Sequence, residues 1–296
     1  MKLPSAWYAF LDSKEIKDKP LGITRFGESL VVWRDSSGQV NVFQDSCPHR
    51  LAKLSLGEIK DSCIVCPFHG FEYDSDGKCR YVPETKAAAV NLTVHKYQTV
   101  EQYGFIWIWW GEMQSTAELP WFDGLKEGFV YAGFEETWPV HFSRSVENQL
   151  DYAHLPFVHK NSIGGNTDPS ANREFEMDET SIKVYMDKYK GSGYFEFKLG
   201  NVWQLVIGKN LRLTLAFVPV DENTTKLYQR TYQCFVKLPL LGKLICSLFN
   251  QTNKIILRQD YEVVTSQAQP KDDWKDEKLF PSDKAIMHFR NWLKSS

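Results

Sequence analysis

The sequence predicts an α+β protein of two domains, an all-β domain followed by a domain in which an antiparallel sheet packs on helices. Three observations support this prediction. A chain of 296 residues is long enough to bury two hydrophobic cores. Short strand patterns fill the N-terminal third, and strand patterns precede helical patterns in the remainder. A polar stretch without periodicity, residues 111–120, places the domains at residues 1–112 and 113–296.

The N-terminal domain contains a hairpin signal and a strongly aromatic strand pattern. The apolar runs at residues 30–33 and 40–43 are separated by Asp-Ser-Ser-Gly, which favours a turn between paired strands. Residues 104–110 read Gly-Phe-Ile-Trp-Ile-Trp-Trp, and strands favour such aromatic and β-branched side chains. We therefore expect this domain to consist mainly of strands.

The C-terminal domain combines helical and strand periodicity. Residues 143–155 have a helical pattern, and residues 181–236 contain several alternating or apolar runs that are typical of strands. Helical patterns follow at residues 247–268 and 282–294, and Pro281 suits the start of the last helix. This order predicts an antiparallel sheet wrapped on a long helix.

The most apolar segment of this domain is residues 234–249. Two lysines, a proline and a glycine interrupt it, and it lacks the roughly 20 apolar residues that a membrane span needs. The pattern predicts a strand followed by a buried helix. A position on a membrane surface or over an apolar pocket is the alternative.

Composition excludes several classes of protein. The net charge is −2 and no Lys/Arg-rich run occurs, so a nucleic-acid partner is not expected. The first residues show no basic stretch followed by an apolar run, which argues against a signal peptide. Six cysteines in a long chain without a secretion signal favour metal ligands or free thiols over a disulfide framework. We therefore expect a cytoplasmic protein.

Two pairs of cysteine and histidine form the first candidate metal site. Cys47 and His49 are followed, after sixteen intervening residues, by Cys66 and His69. Each pair can chelate from the tip of a tight loop that its proline stiffens. Two thiolates can then hold one iron of a [2Fe–2S] cluster while two imidazoles hold the other, which raises the reduction potential. A zinc site that includes Cys63 is the alternative.

These motifs, Cys-Pro-His-Arg and Cys-Pro-Phe-His-Gly, closely resemble those of the Rieske domain, and the resemblance covers roughly residues 5–110. It implies that Cys47 and Cys66 bind one iron and that His49 and His69 bind the other. The arginine after the first histidine, and loops without an extra cysteine pair, resemble the oxygenase branch of the family.

A second candidate metal site lies in the C-terminal domain. His154 and His159 would sit about 140° apart on a regular helix, but Pro156 breaks the turn and lets them converge. A mononuclear iron site needs two imidazoles and one carboxylate on one face, with open positions for dioxygen. Asp260 is the candidate carboxylate because it lies on an otherwise apolar helical stripe, and Glu262 is the alternative.

The string Asn-x-x-Asp-x-x-His-x-x-x-x-His that ends at His159 resembles the mononuclear iron signature of Rieske non-haem oxygenases. The family has a comparable Asp in a late helix with a Gln soon after it, as Gln267 follows Asp260 here. The resemblance implies a helix-grip (START/Bet v1-like) catalytic domain. It also implies that Asp151 bridges His154 and, across the subunits of a homotrimer, the cluster ligand His69, which makes Asp151 the electron-transfer residue.

The combined prediction is a terminal oxygenase with a Rieske cluster, a mononuclear Fe(II) and O2 as co-substrate. No Gly-x-Gly-x-x-Gly motif opens a helix, so electrons must come from a separate ferredoxin or flavin reductase, and NAD(P)H acts only indirectly. The resemblance favours hydroxylation or oxidative dealkylation of a small apolar or aromatic substrate, held by residues within 190–250. Ring cis-dihydroxylation, or a Rieske electron carrier with a non-catalytic ligand-binding domain, remain the alternatives.

Overall fold

Short strands build the N-terminal part of the protein, and one large sheet with helices builds the rest. The computed structural model describes residues 3–89, 91–125, 127–165, 167–171, 173–186, 193–270 and 274–295. It divides into two compact units, one of Trp7–Ala117 and one of Met1–Ala6 with Glu118–Ser296. We call them the cluster unit and the catalytic unit, after the centres that the sequence predicts in them.

The cluster unit contains ten strands in three sheets. The sheets are ordered β1-β10-β9, β2-β3-β4 and β5-β6-β7-β8. The predicted hairpin is confirmed, because β3 and β4 pair antiparallel, and the predicted aromatic strand is β10. The strands are β1 Ala6–Asp12, β2 Leu21–Arg25, β3 Glu28–Arg34, β4 Val40–Gln44, β5 Glu58–Lys60, β6 Cys63–Val65, β7 Glu72–Tyr73, β8 Cys79–Tyr81, β9 Thr99–Gln102 and β10 Phe105–Trp110.

The catalytic unit is built on a seven-stranded sheet of order β11-β17-β16-β15-β14-β13-β12. Every neighbouring pair in it is antiparallel. The predicted α+β class is therefore confirmed, although residues 187–192 of the predicted strand region lie outside the described residues. The elements are β11 Val130–Trp138, α1 Phe142–Leu150, α2 Leu155–Val158, β12 Glu174–Met177, β13 Ser181–Tyr185, β14 Gly193–Lys198, β15 Val202–Ile207, β16 Leu211–Asp221, β17 Thr224–Gln233, α3 Pro239–Val264 and α4 Lys284–Lys294.

The long helix α3 packs against β11 and β17 of this sheet. Its buried residues recur at steps of three, four and seven, which places them on one stripe. A Cβ atom at Gly242 would meet Gln233 Nε2 at 2.6 Å, so glycine lets the helix approach the sheet closely. The buried residues of α3 are Gly242, Cys246, Asn250, Leu257, Asp260 and Val264.

Two predictions about these helices are wrong. Residues 234–249 do not form a buried helix, because small residues face the sheet while Leu240 is 85% exposed. The predicted helix 143–155 ends at Leu150, because Asp151 takes an extended backbone conformation at φ −85° and ψ 119°. A second, short helix begins at Leu155. Across the described chain, no helix is both long and apolar enough for a membrane span.

A buried network of charges ties the C-terminal helix α4 to α1. Arg290 of α4 donates two hydrogen bonds of 2.8 Å to the Glu147 carboxylate and one of 2.6 Å to Glu277. Arg144 also contacts Glu277 and donates to the Ala268 carbonyl at 2.8 Å. The network fixes the position of α1. This helix leads directly to His154, the first candidate metal ligand of this unit.

We expect Arg290→Met to lower the free energy of unfolding of the catalytic unit by about 3–5 kcal/mol, because the buried Glu147 carboxylate loses its two short hydrogen bonds and keeps only the 3.4 Å contact with Arg144. Urea unfolding followed by circular dichroism measures the change. Arg258→Met is the matched control, since Arg258 forms an exposed ion pair with Glu262 and should alter stability little. Equal effects of the two substitutions would contradict the structural role of the network.

Candidate metal centres

The two Cys-His loops of the cluster unit have the same backbone construction. The Cys47 carbonyl accepts from the Leu51 N–H at 2.8 Å, and the Cys47 N–H donates to the Ala52 carbonyl at 2.8 Å. In the second loop, the Cys66 carbonyl accepts from the Gly70 N–H at 3.0 Å, and the Cys66 N–H donates to the Phe71 carbonyl at 2.8 Å. Leu51 and Gly70, each four residues after the cysteine of its loop, have positive φ angles of 58° and 70°. Both turns therefore close in the same way, although the histidine is two residues after the cysteine in the first loop and three residues after it in the second.

The side chains of these loops are arranged in two layers. Cys47 and Cys66 are buried, whereas His49 and His69 are exposed. The two imidazole rings meet edge to face with centroids 4.7 Å apart, and Phe71 stacks on His49 at 4.6 Å. The thiols therefore lie at the core and the imidazoles at the surface.

The chemistry of the four side chains fits a [2Fe–2S] cluster. Burial raises the pKa of the Cys66 thiol, and the neighbouring Cys47 raises it further. Cys47 Sγ lies 3.2 Å from the Tyr73 hydroxyl, a donor that can stabilise a thiolate. A cationic cluster iron would convert both thiols to thiolates and relieve the cost of burying them. Two thiolates and two imidazoles are the ligand set of a Rieske cluster.

The zinc alternative finds no support in the position of Cys63. Cys63 is half-buried on β6, where burial and then the carboxylates of Glu72 and Asp74 raise its pKa. In the described parts of the chain, it is not gathered with two other metal-ligating side chains. All six cysteines are free.

The break between α1 and α2 brings the two histidines of the catalytic unit together. After α1 ends, Asp151 Oδ1 accepts a hydrogen bond of 2.7 Å from the Ala153 N–H and stabilises the turn. Pro156 lies in the first turn of α2, and His159 ends that helix. The ring centroids of His154 and His159 are 5.2 Å apart. The sequence-based prediction that Pro156 allows convergence agrees with this geometry.

Asp260 of α3 completes a group of three potential ligands. Its Oδ1 lies 3.0 Å from His159 Nε2 and 3.5 Å from His154 Nε2. One ligand atom from each residue lies within 4.8 Å of the others. Asp260 Oδ1 and both ring nitrogens of His154 are buried without a hydrogen-bond partner among the described residues. Because such buried polar atoms are costly unless satisfied, the group fits a cation held by two imidazoles and a carboxylate.

Two glutamines that the sequence-based prediction missed support this group. Gln259 Oε1 lies 2.8 Å from His159 Nδ1 and can accept a hydrogen bond from its N–H. In that tautomer, Nε2 carries no proton and is free to bind a metal. Gln149 Nε2 donates to Asp260 Oδ2 at 3.4 Å. Burial lowers the pKa of His159, but the Asp260 carboxylate and Gln259 raise it, and the net shift is upward. The only available signal for Gln259 was its place next to the predicted ligand.

The other predicted residues take different positions. Asp151 Oδ2 lies 3.6 Å from His154 Nδ1, and the Asp151 side chain is 28% exposed. Glu262, the alternative carboxylate, is exposed and paired with Arg258 at 3.4 Å. Gln267 is exposed beyond the end of α3, so it does not join the group.

A largely apolar cavity of about 480 Å³ adjoins the three potential ligands, which form part of its wall. Trp203, Leu205 and Phe195 line it from the sheet. The predicted lining region, residues 190–250, is therefore incomplete, because α1 and α3 also contribute, and residues 190–192 lie outside the described residues. A ligand in this cavity would lie beside His154, His159 and Asp260.

Two known protein families match this chain. Residues 6–103 match the Rieske [2Fe-2S] domain, and residues 138–204 match the vanillate O-demethylase oxygenase C-terminal domain. The vanillate O-demethylase oxygenase subunit of Pseudomonas sp. (strain HR199 / DSM 7063) is 32% identical over 190 residues, 62% of this chain and 53% of that protein. The chloroplastic protein TIC 55 of Arabidopsis thaliana is 32% identical over 211 residues, 64% of this chain and 38% of that protein.

Solved structures show the same fold. NdmA of Pseudomonas putida CBB5, as its QL mutant with caffeine, has a TM-score of 0.81 at 25% identity, covering 98% of this chain and 89% of that one. Dicamba monooxygenase bound to dicamba has a TM-score of 0.83 at 21% identity, covering 98% and 96%. By contrast, this chain spans between 25% and 53% of the length of the first six curated relatives.

A Rieske domain followed by a catalytic domain of this kind defines the Rieske non-haem iron oxygenases. This chain matches both domains in that order, and it is similar to members of the monooxygenase and demethylase branch of that family. The family and the branch predicted from the motifs are thereby confirmed.

We expect Gln259→Met to weaken iron binding at the catalytic unit by roughly 10- to 100-fold, because His159 loses the acceptor that orients its ring. Competition with a chromophoric chelator measures the affinity. The control is Gln251→Met, an exposed position on the same helix, which should leave the affinity unchanged. Unchanged iron affinity in Gln259→Met would show that the hydrogen bond to His159 has no part in metal binding.

Proposed function

We propose that this chain is the terminal oxygenase of a multicomponent monooxygenase that hydroxylates or oxidatively dealkylates an apolar or aromatic substrate. One observation carries the proposal. His154 and Asp260 have buried polar atoms without a hydrogen-bond partner among the described residues, and together with His159 they line an apolar cavity, in a chain that also matches a Rieske domain. The named relatives vanillate O-demethylase and dicamba monooxygenase support the reaction class.

The ligand assignments follow from the two side-chain groups. Cys47, Cys66, His49 and His69 would hold the [2Fe–2S] cluster, and His154, His159 and Asp260 would hold Fe(II). When bound, these groups supply the electrons and the dioxygen activation for a net reaction in which a C–H bond, O2, two electrons and two protons give C–OH and water. The apolar walls of the cavity exclude water and hold the substrate beside the ligands.

Asp151 is the proposed link between the two centres. One oxygen of its carboxylate is held by the Ala153 N–H, while the other lies near His154 Nδ1. Because the side chain is partly exposed, a second imidazole can approach it from outside the unit. We assign that imidazole to His69 of a neighbouring copy, and, from the resemblance to Rieske oxygenases, we assign the working enzyme as a homotrimer. A carboxylate between two imidazoles fixes their tautomers and couples them.

The electron donor is a separate ferredoxin or flavin reductase. The exposed imidazoles of His49 and His69 are flanked by two exposed apolar side chains, Leu51 at 76% and Phe68 at 54%. Such a rim suits the contact with a neighbouring copy that brings its Asp151 to His69. Six free thiols suit the reducing cytoplasm, where we place the enzyme.

A single-turnover experiment tests the proposal. The iron-loaded protein is reduced anaerobically with dithionite, mixed with a panel of methoxylated and alkylated aromatic compounds, and exposed to 18O2. We expect a product with one 18O atom, or a demethylated product with formaldehyde. A product with two 18O atoms would identify a ring dihydroxylase. Oxidation of the reduced cluster without an oxidised organic product from any compound of the panel would favour the alternative, a Rieske electron carrier with a non-catalytic ligand-binding domain.

We expect Asp151→Asn to slow product formation in the single turnover by roughly 10- to 100-fold, because the amide cannot accept from both imidazoles. Cluster reoxidation by stopped-flow absorbance, together with iron content, measures the effect. Both metal centres should remain filled. A normal oxidation rate in this variant would remove Asp151 from the electron path, and Asp168→Asn, at an exposed loop, is the control.

A further inference from the structure

The cavity beside the metal ligands has a neighbour. A second cavity of about 380 Å³ lies between β16 and α3, and we call it the distal chamber. Trp203, Leu205, Ile256 and Asp260 line both cavities, so they form a shared wall. Pockets for small ligands usually occupy about 300–1,000 Å³, so either space alone could hold a small ring. The two together suit a larger molecule.

One stripe of α3 runs past both spaces. Phe249, Asn253, Ile256 and Asp260 follow one another at steps of four, three and four residues, which keeps them on one helical face. At a rise of about 1.5 Å per residue, Phe249 lies roughly 16 Å along the helix from the metal ligand Asp260. A single aromatic ring is much shorter than this span.

The distal chamber is apolar, with a few neutral polar groups. Leu211, Leu213 and Leu215 alternate along β16 and therefore face it from the same side. Gln229 and Asn253 contribute amide groups. Among the described residues that line the two cavities there is no lysine or arginine. A carboxylate or phosphate bound there would lose its hydration without gaining a cationic partner from these residues.

We propose, on the basis of the function proposed above, that the substrate is an elongated, uncharged, apolar molecule that occupies both cavities. One end lies at His154, His159 and Asp260, and the other lies between β16 and α3 near Leu213 and Phe249. The distal chamber thus acts as a specificity-determining subsite that binds the part of the substrate that is not oxidised.

A series of probes tests the proposal by binding alone. Ethoxybenzene, butoxybenzene and hexyloxybenzene are equilibrated by dialysis with iron-loaded protein under anaerobic conditions, and 4-hexyloxybenzoate is the charged comparison. We expect the affinity to rise roughly fourfold for each added methylene, the fold-change for burying one CH2 group. In iron-free protein, where no metal cation can pair with its carboxylate, we expect the benzoate to bind at least about tenfold more weakly than hexyloxybenzene, because no lysine or arginine among the described residues lines the two cavities.

Filling the distal chamber with a larger side chain should remove the gain in affinity that the longer alkyl group provides. Leu213→Trp is expected to reduce the affinity for hexyloxybenzene to that for ethoxybenzene, and to leave ethoxybenzene binding unchanged within about twofold. Thr252→Trp fills the same space from α3 and serves if the first variant does not fold. Leu240→Trp, at an exposed position of α3, is the matched control and should match the wild type for every probe.

Two results would overturn the proposal. The first is an affinity that does not rise beyond ethoxybenzene, and the second is an equal loss of short and long probes in Leu213→Trp and Thr252→Trp. Binding requires neither dioxygen nor electrons, so it is independent of turnover. If affinity rises with chain length but no turnover occurs, the oxygenase proposal fails and the distal-chamber proposal stands. If turnover occurs but affinity does not depend on chain length, the distal-chamber proposal fails and the oxygenase proposal stands.

Discussion

The buried carboxylate of Asp260 is the constraint on which the catalytic unit depends. A carboxylate removed from water must be paired with positive charge or hydrogen-bonded, because an isolated buried ion is strongly unfavourable. Here Gln149 donates one long hydrogen bond to Oδ2, while Oδ1 faces two imidazoles without a hydrogen-bond partner in the described chain. When Nδ1 of a neutral His159 donates to Gln259, its Nε2 carries no proton that could be donated to Asp260 Oδ1. A divalent cation held by His154, His159 and Asp260, as we propose, would satisfy all three side chains at once.

The helix α3 connects this constraint to the rest of the unit. Gly242 lets its first turn approach the sheet closely, and the buried stripe then sets the rotation of the whole helix. That rotation directs Asp260 towards the histidines and Gln259 towards the far side of the His159 ring. It also directs Phe249 into the distal chamber. One rigid element therefore positions the proposed metal ligand Asp260, supplies the hydrogen-bond partner of His159 and lines both cavities, which is the arrangement that a precise site requires.

Local spacing in the sequence was sufficient to predict the residues that the structure gathers, because most of them occur in short strings. The two Cys-His loops and the pair His154 and His159 are of this kind, and Asp260 could be chosen as an acid on an apolar stripe. Gln259 could not be predicted, since its role depends on how α2 and α3 are rotated against each other. The exposed Leu240 was missed for the same reason, because hydrophobic composition does not reveal which side of a helix faces the sheet.

The most direct test of the central claim is the content of iron and acid-labile sulfide per chain in anaerobically purified protein. We compare the wild type with His154→Ala, and use His288→Ala, at a half-buried histidine of α4 that is not one of the proposed ligands, as the control. The expected result is roughly three irons and two sulfides in the wild type and control, and about two irons in His154→Ala with an intact visible Rieske spectrum. Two irons in all three proteins after reconstitution would contradict the mononuclear site and leave a Rieske electron carrier.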